Sequence, residues 1–161
     1  MVFSGRIARP IAASFSSTTN PLLKVGDVLR KPRTFNHLDL VNYAELTSDY
    51  NPIHFDSGFA KEEGFEDRVV HGMLVATLFP RVIASHFPGA VYVSQSLQFK
   101  LPVYIGNEAV AEVKALNIRE NKKRYLAKFS TKCFRDGDLV IDGEALAILP
   151  TLEIREEPFG D

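Results

Sequence analysis

The sequence predicts an α+β domain in which an antiparallel sheet curves around one central apolar helix. The second half of the chain alternates apolar and polar residues through long strands joined by short turns. Such strands cannot form a parallel sheet, which needs long crossover connections. The first half contains a helix that is apolar on more than one face, which is typical of a buried helix. The length of 161 residues, of which 45% are hydrophobic and 24% charged, fits one folded domain.

Composition and charge exclude several classes of protein. Nineteen Lys and Arg residues against twenty Asp and Glu residues give a formal net charge of −1, so no strongly basic surface for nucleic acid is expected. The sequence contains no run of about 18 apolar residues, so it predicts no membrane span. The single cysteine, Cys133, cannot form an internal disulfide or a cysteine-based metal site, and its place within a strand predicts a small core residue.

The first twenty residues predict an import sequence. They contain Arg6 and Arg9, no Asp or Glu, and many hydroxyl side chains, as organellar transit peptides do. Mitochondrial import is favoured over plastid import, and the alternative is a tail without a targeting role. The given sequence ends in Phe159-Gly160-Asp161, which is not the peroxisomal Ser-Lys-Leu signal. The expected organisation is a transit peptide at 1–20, one domain over 22–151 and a tail at 152–161.

The chain from residue 24 predicts a strand followed by a helix. The strand covers 24–35 and is interrupted by Pro32. Asn36 can cap the helix through its side-chain oxygen, and Pro52 forces the chain to leave it. The predicted buried face of this helix consists of four apolar residues, Leu38, Val41, Ala44 and Leu46.

Two further helices are expected before the sheet continues. A short one covers 57–63 and ends at Gly64. The central apolar helix begins at Gly72, and Pro80 kinks it or marks a turn boundary. Its apolar residues are Met73, Leu74, Ala76, Leu78, Phe79, Val82 and Ile83.

The rest of the domain predicts four strands. Apolar residues at a spacing of two indicate strands over 91–103 and 109–118. Strands over 123–134 and 139–149 follow, and the Asp136-Gly137-Asp138 segment between them is typical of a hairpin turn.

A first candidate site lies in the segment from Thr47 to Asp56. Asp49 falls at the end of the first helix, where the helix dipole disfavours a carboxylate. His54 follows five residues later, after Pro52 has stiffened the loop, and Asn51 can bond the loop backbone. A carboxylate and an imidazole on one rigid loop are the parts of a general acid–base pair. An ordinary turn with a solvated or hydrogen-bonded histidine explains these residues equally well.

A second candidate is Gly72 at the start of the central helix. The first N–H groups of a helix lack an acceptor within the helix, and a glycine lets a ligand carbonyl approach them closely. Such a donor suits the enolate oxygen that forms when a proton leaves the carbon beside a thioester. The alternative is a glycine needed for close helix–sheet packing, with His71 as a helix cap.

Together these residues resemble a known family. The segment Tyr43-x-x-Leu46-Thr47-Ser48-Asp49-x-Asn51-Pro52-Ile53-His54-x-Asp56, followed by Ala60, is similar to the signature of the (R)-specific enoyl-thioester hydratases, which are MaoC-like hot-dog proteins and include 3-hydroxyacyl-thioester dehydratases. The similarity continues through His71-Gly72-Met73-Leu74 and the strand from Gln95 to Val103, and spans 24–150. Ser48 departs from the pattern, which usually has glycine there.

The resemblance implies a fold, a site and a chemistry. It implies a hot-dog domain that forms a homodimer. Asp49 and His54 match the family's catalytic pair, Gly72 its oxyanion donor and Asn51 a position that supports the loop. In such enzymes a water held between the acid and the imidazole is added across, or expelled from, the C2–C3 bond. The resemblance implies no metal and no redox cofactor, because the thioester already acidifies the C2 proton.

The remaining polar residues of note predict structural or surface roles. His37 and His86 fall at a helix start and a helix end, where they are expected to be structural. Lys122, Lys123 and Arg124 predict a solvated turn and, as the alternative, a docking site for an acidic acyl carrier protein.

Three functions from different classes follow. The first is a 3-hydroxyacyl-[acyl-carrier-protein] dehydratase in mitochondrial fatty-acid synthesis. The second is the same chemistry run as (R)-specific hydration of enoyl-CoA in degradation. The third is a hot-dog thioesterase or a non-catalytic acyl-binding module. The intact Asp49–His54 pair counts against binding alone, and the hydratase-type signature counts against thioester hydrolysis. The predicted partner is therefore an acyl thioester of acyl carrier protein or CoA.

Overall fold

The structure is a computed structural model that describes residues 19–156. The predicted transit peptide at 1–20 lies outside this range except for its last two residues. The end of the predicted tail, 157–161, also lies outside it. Within the described range, no helix has the length and apolar character that a membrane crossing requires.

One five-stranded antiparallel sheet forms the body of the domain, in the order β1-β3-β4-β5-β2. The strands are β1 (Val28–Thr34), β2 (Val91–Phe99), β3 (Glu108–Asn121), β4 (Arg124–Arg135) and β5 (Asp138–Leu149). The predicted α+β class and antiparallel sheet are confirmed. In the described range β1 and β2 are the edge strands, because each pairs on one side alone.

In the described residues 19–156, four α-helices connect and cover the sheet. They are α1 (His37–Thr47), α2 (Ser57–Glu62), α3 (Gly72–Ala76) and α4 (Leu78–His86). The predicted central helix is therefore interrupted at Thr77, and Pro80 lies in the first turn of α4, where its missing N–H breaks no helical hydrogen bond. Helix α4 lies against β3 and β1. Its side chains Leu78, Phe79, Val82 and Ile83 are buried in the core.

Helix α1 begins as predicted but buries a different face. The Asn36 side chain accepts a hydrogen bond from the Asp39 N–H at 3.1 Å and caps the helix. The buried residues are Leu40 and Ala44, whereas Leu38 and Leu46 are 63% and 84% exposed. The predicted face was therefore wrong at both ends. At 100° per residue, Leu38 and Leu46 lie on the side of the helix opposite to Leu40 and Ala44.

Two strand predictions need correction. Strand β1 is not interrupted by Pro32, which pairs with Val110 of β3 in the middle of the strand. A proline is tolerated there because β1 is an edge strand, whose outer N–H groups face no partner strand. Strand β2 ends at Phe99 rather than at 103, and the Lys100 N–H then bonds the Val140 carbonyl at 2.8 Å.

The other connections agree with the sequence. The turn between β4 and β5 has positive φ angles at Asp136 and Gly137, as a tight hairpin requires. Cys133 is fully buried in the core, and burial raises the pKa of its thiol to about 12. Residues expected in the tail are bonded to the start of the domain, since the Leu23 N–H donates to Leu152 O and the Ile154 N–H to Pro21 O.

Candidate active site

The candidate residues meet at one cavity of about 480 Å³ at the end of the sheet where β2 ends and β5 begins. Asp49 and His54, from the loop after α1, and Gly72, from the start of α3, all line it. The remaining wall is mostly apolar, with three polar side chains, Tyr43, His71 and Lys100. Its apolar residues are Ile53, Phe65, Val69, Val70, Met73, Val75, Phe99, Leu101, Pro102, Val103 and Ile141. The sequence therefore identified residues that the fold brings together.

Ser48 turns the chain out of α1 and places Asp49 at the cavity. Its φ of 62° and ψ of 20° are left-handed, and its N–H donates to the Ala44 carbonyl at 2.7 Å. Glycine adopts this conformation most easily. The glycine that the family pattern usually has at this position is thus explained by the backbone, and the serine keeps the same conformation.

Asn51 shapes the loop between Asp49 and His54. Its side-chain oxygen accepts from the Ile53 N–H at 3.3 Å, and its own N–H donates to Asp49 Oδ1 at 3.3 Å. The segment Pro52–His54 then forms a single turn of 3₁₀ helix. This turn places the His54 side chain in the interior, where it is only 6% exposed.

The His54 imidazole has a defined tautomer. Its Nδ1 lies 2.7 Å from the Val69 carbonyl oxygen, which can only accept, so in the neutral ring Nδ1 carries the hydrogen. Nε2 consequently carries the lone pair. Burial is the main cause that lowers the pKa of His54 below its usual 6.5, and His71 lowers it further, whereas the Val69 bond and Asp49 raise it. The ring is therefore held as a neutral base.

His71 is a site residue whose contacts the sequence did not reveal. The sequence suggested it as a cap for the following helix, but its side chain caps no N–H of α3. Its ring instead stacks on His54, with centroids 3.7 Å apart and 24° between the planes. Its Nε2 lies 3.0 Å from the Asp49 carbonyl oxygen. The one sequence signal was its place beside Gly72 in the His-Gly-Met segment.

Gly72 is the first residue of α3 and lies against β2. The N–H groups of the first turn have no acceptor within the helix, and the preceding residue caps none of them. A Cβ at Gly72 would lie 2.9 Å from Cε1 of Phe99, a contact closer than side chains normally make. The structure thus supports both interpretations of this glycine, close packing and an accessible backbone donor.

The cluster of Asp49, His54 and His71 raises the question of a metal. Each side chain offers one ligand atom, and these atoms lie within 4.8 Å of one another. The two imidazoles are nearly parallel and 3.7 Å apart. An ion about 2 Å from both ring nitrogens could not lie in both ring planes, as imidazole ligation prefers. The arrangement suits proton transfer better than metal ligation.

The other polar residues singled out in the sequence do not line the cavity. His37 is exposed at the start of α1, and Nδ1 of His86 lies 2.8 Å from the Val82 carbonyl at the end of α4. Lys122, Lys123 and Arg124 lie at the turn between β3 and β4. This turn is at the opposite end of the sheet from the cavity, which favours a solvated turn within one protomer.

The chain is similar to known proteins over most of its length. A profile described as a MaoC like domain matches residues 24–132. A mitochondrial 3-hydroxyacyl-[acyl-carrier-protein] dehydratase of Solanum lycopersicum is 60% identical over 146 residues, which cover 90% of this chain and 88% of that protein. Its counterpart of the same description in Arabidopsis thaliana is 55% identical over 150 residues, which cover 91% and 90%.

A solved structure extends the comparison to the fold. The (R)-specific enoyl-CoA hydratase of Aeromonas caviae is 40% identical over 131 residues. The structure of an (R)-hydratase of A. caviae superimposes with a TM-score of 0.75 over 80% of this chain and 98% of that one. The predicted hot-dog fold is confirmed. From these matches we conclude that the chain belongs to the MaoC-like dehydratase family.

Proposed function

We propose that this protein removes water from (R)-3-hydroxyacyl thioesters of acyl carrier protein, and catalyses the reverse addition, in mitochondria. The observation that carries the proposal is the pairing of an exposed carboxylate, Asp49, with a buried neutral imidazole, His54, on one cavity. A carboxylate oxygen of Asp49 and a ring nitrogen of His54 lie within 4.8 Å of each other, a separation that one water molecule can bridge.

Asp49 and His54 together transfer one proton between water and C2. In hydration, water gives its hydroxyl to C3 and the proton it loses is returned to C2. Nε2 of His54 is the available base, because Nδ1 is engaged with the Val69 carbonyl. Asp49 orients the water and favours the imidazolium that forms when the ring takes the proton. Dehydration runs through the same steps in reverse.

Gly72 supplies the third part of the proposed site. Removing the C2 proton places negative charge on the thioester oxygen. The uncapped Gly72 N–H at the cavity is a fixed donor for that oxygen, and a donor of this kind stabilises charge that develops in the transition state. No electron is transferred in either direction, so the proposed reaction requires no redox cofactor.

The cavity wall favours an acyl substrate. Most of its lining side chains are apolar, and they surround the polar cluster on the side of β2 and β5. An apolar chain attached to the thioester would therefore be removed from water beside the reacting carbons.

We favour acyl carrier protein over CoA as the carrier of the substrate because of the names of the most similar relatives reported above. The two proteins at 60% and 55% identity are described as mitochondrial 3-hydroxyacyl-[acyl-carrier-protein] dehydratases. Relatives described as (R)-specific enoyl-CoA hydratases are 40% and 36% identical. Hydration of enoyl-CoA is therefore the second candidate function.

One assay tests the proposal and separates the alternatives. Purified protein is given (R)-3-hydroxyacyl groups of equal length on acyl carrier protein and on CoA, with the (S) epimers as controls. We expect enoyl thioester from the (R) substrates, with a higher kcat/KM on acyl carrier protein. A higher kcat/KM on CoA would favour the second candidate. Release of free thiol would indicate a thioesterase, and binding without turnover an acyl-binding module.

The proposed location rests on the basic, acid-free start of the chain and on the names of the two plant relatives. Residues 1–25 fused to a fluorescent reporter should direct it to mitochondria. The same fusion with Arg6 and Arg9 replaced by Glu is the control and should remain outside. A diffuse signal from the unmodified fusion would contradict the mitochondrial location.

A further inference from the structure

His71 connects parts of the site that are otherwise held separately. It is buried, with 2% of its surface exposed, and directly precedes Gly72. Its Nε2 reaches the Asp49 backbone across 22 residues of sequence, and its ring covers a face of His54. The Tyr43 ring also contacts it, with centroids 4.8 Å apart. One side chain thus touches both members of the proposed acid–base pair.

The hydrogen bond of His71 defines which ring nitrogen donates. The Asp49 carbonyl oxygen only accepts, so Nε2 of His71 carries a hydrogen and donates it. Nδ1 is buried and has no hydrogen-bond partner in the described part of the chain. The ring is therefore oriented through its Nε2 side.

The bond to Asp49 supplements weak local contacts. Within its own loop, the Asp49 N–H lies 3.4 Å from Thr47 Oγ1, and Oδ1 accepts from the Asn51 N–H at 3.3 Å. Both distances are at the long end for hydrogen bonds. The 3.0 Å bond from His71 is shorter, and it links this exposed loop to a buried side chain directly before α3.

We propose that His71 is a positioning residue of the hydration and dehydration reaction: through its Nε2 hydrogen bond and its stacked ring, it holds the Asp49 backbone and the plane of His54 in place relative to Gly72. This proposal rests on the proposed function. His71 lines the cavity, but the proposal assigns it no proton transfer.

Two substitutions separate its two contacts. His71→Phe keeps a flat ring against His54 but loses the donor to Asp49. His71→Gln loses the ring but keeps an N–H at a similar reach. Because one hydrogen bond that orients a reacting group is lost, we expect His71→Phe to lower kcat about tenfold with little change in KM. His71→Gln should recover part of that loss.

The matched control is His86→Phe. His86 also bonds a backbone carbonyl through its ring, but at the end of α4 and away from the cavity. Its replacement should leave kcat unchanged. A second control places His71→Phe in an Asp49→Asn background, where it should add little, because the residue that it positions has already lost its function.

The outcomes distinguish this inference from the function on which it rests. An unmodified protein without activity on any thioester contradicts the proposed function. An active unmodified protein whose kcat is unaffected by His71→Phe contradicts the positioning role alone. A loss that appears in KM, or one that adds in full to Asp49→Asn, also overturns it.

Nitrogen NMR of the unmodified protein provides a measurement that does not depend on a variant folding. The His71 ring should carry a hydrogen on Nε2, and this hydrogen should exchange slowly with water because it is donated to the Asp49 carbonyl. A ring without a hydrogen on Nε2, or one whose Nε2 hydrogen exchanges rapidly, would overturn the proposal.

Discussion

At the scale of single residues, the strongest test concerns Asp49 and His54 acting together. Asp49→Asn removes the charge but keeps the shape, and His54→Ala removes the imidazole. If the two position and deprotonate one water, each change should lower the dehydration rate at least about 100-fold. The double variant should be scarcely worse than the poorer single one, because residues that act as a unit do not lose activity additively.

Hydration and dehydration rates measured on the same variants give an internal control. Both directions share one transition state, and a substitution leaves the equilibrium in solution unchanged, so kcat/KM must fall by the same factor in each direction. Near-normal turnover by a folded Asp49→Asn protein would mean that this loop is an ordinary turn.

The environment of His54 predicts the pH dependence. Burial lowers its pKa below 6.5, and it must be neutral to act as a base. We therefore expect kcat/KM to keep its full value below pH 6.5 and to fall only as the pH drops through the lowered pKa. An acid limb centred above pH 6.5 would contradict this assignment.

The pH dependence of the free energy of unfolding should also reflect the lowered pKa of His54. Below pH 6.5 the unfolded chain binds a proton at this histidine while the folded protein does not. The contribution of His54 to the free energy of unfolding should be fully present above pH 6.5. It should decrease as the pH falls from 6.5 to the lowered pKa. His54→Ala should lack this part of the pH dependence, which chemical denaturation at several pH values would measure.

Ser48 predicts a stabilising substitution. Its left-handed backbone is unfavourable for a residue with a Cβ, so Ser48→Gly should raise the free energy of unfolding by about 0.5–1 kcal/mol. Lys122 has a φ of 57° in a turn far from the cavity, and Lys122→Gly is the matched control. Thermal unfolding should show an increase in Tm for both, and neither should change kcat. A decrease in Tm for Ser48→Gly would contradict the strain argument.

These residues also show how far a sequence can predict a site. Asp49, Asn51 and His54 could be identified because they lie on one short segment, where spacing and a proline restrict the geometry. The contacts of His71 could not be identified, because they join positions 22 residues apart that meet through the fold alone.

At the scale of elements, the start of α3 provides a test that separates its two interpretations. Gly72→Val should abolish most activity in a folded protein, since loss of one donor to a developing oxyanion typically costs about 100- to 1,000-fold in rate. The structure adds a complication, because any Cβ at this position also presses on Phe99.

A paired variant removes that complication. Gly72→Ala combined with Phe99→Ala has no ring for the new methyl to meet. If access to the N–H matters, this protein should remain nearly inactive while Phe99→Ala alone stays active. Recovery of activity in the double variant would assign Gly72 to packing.

The type and order of the helices and strands could be predicted from the sequence. The face that each of them buries was harder to predict. The Asn36 cap and the Asp136–Gly137 turn are local signals, and the structure agrees with both. The buried face of α1 is set by where α1 lies in the fold, which the spacing of Leu38 and Leu46 does not reveal. Pro32 was similarly misjudged because the sequence does not state that β1 is an edge strand.

At the scale of the whole molecule, the structure supports the prediction of a homodimer. Strand β2 pairs on one side alone and carries half-exposed apolar side chains, among them Val91, Val93 and Phe99. Exposed apolar edge strands tend to pair with another chain. Light scattering at micromolar concentration should therefore give twice the mass of one chain.

A charge on this edge should separate the subunits. Val93 lies at the register shift of β2, outside the ladder with β5, so Val93→Lys should fold and be monomeric. Val25 is also exposed but lies away from β2, and Val25→Lys should remain dimeric. Because Phe99 and Leu101 both line the cavity and are half exposed, the monomer should also have a raised KM. A monomeric unmodified protein would contradict the prediction.

The open edge of β2 has a consequence for hydrogen–deuterium exchange. In an antiparallel ladder, alternate backbone N–H groups of an edge strand point away from its neighbour. In a lone protomer those outward amides of β2 should exchange quickly while the amides bonded to β5 exchange slowly. Pairing between two chains would slow both sets, so the difference should vanish as concentration rises. In strand β1, the other edge strand, the outward amides should exchange faster than the bonded amides at every concentration. This difference between β1 and β2 would locate the contact between subunits without a structure of the dimer.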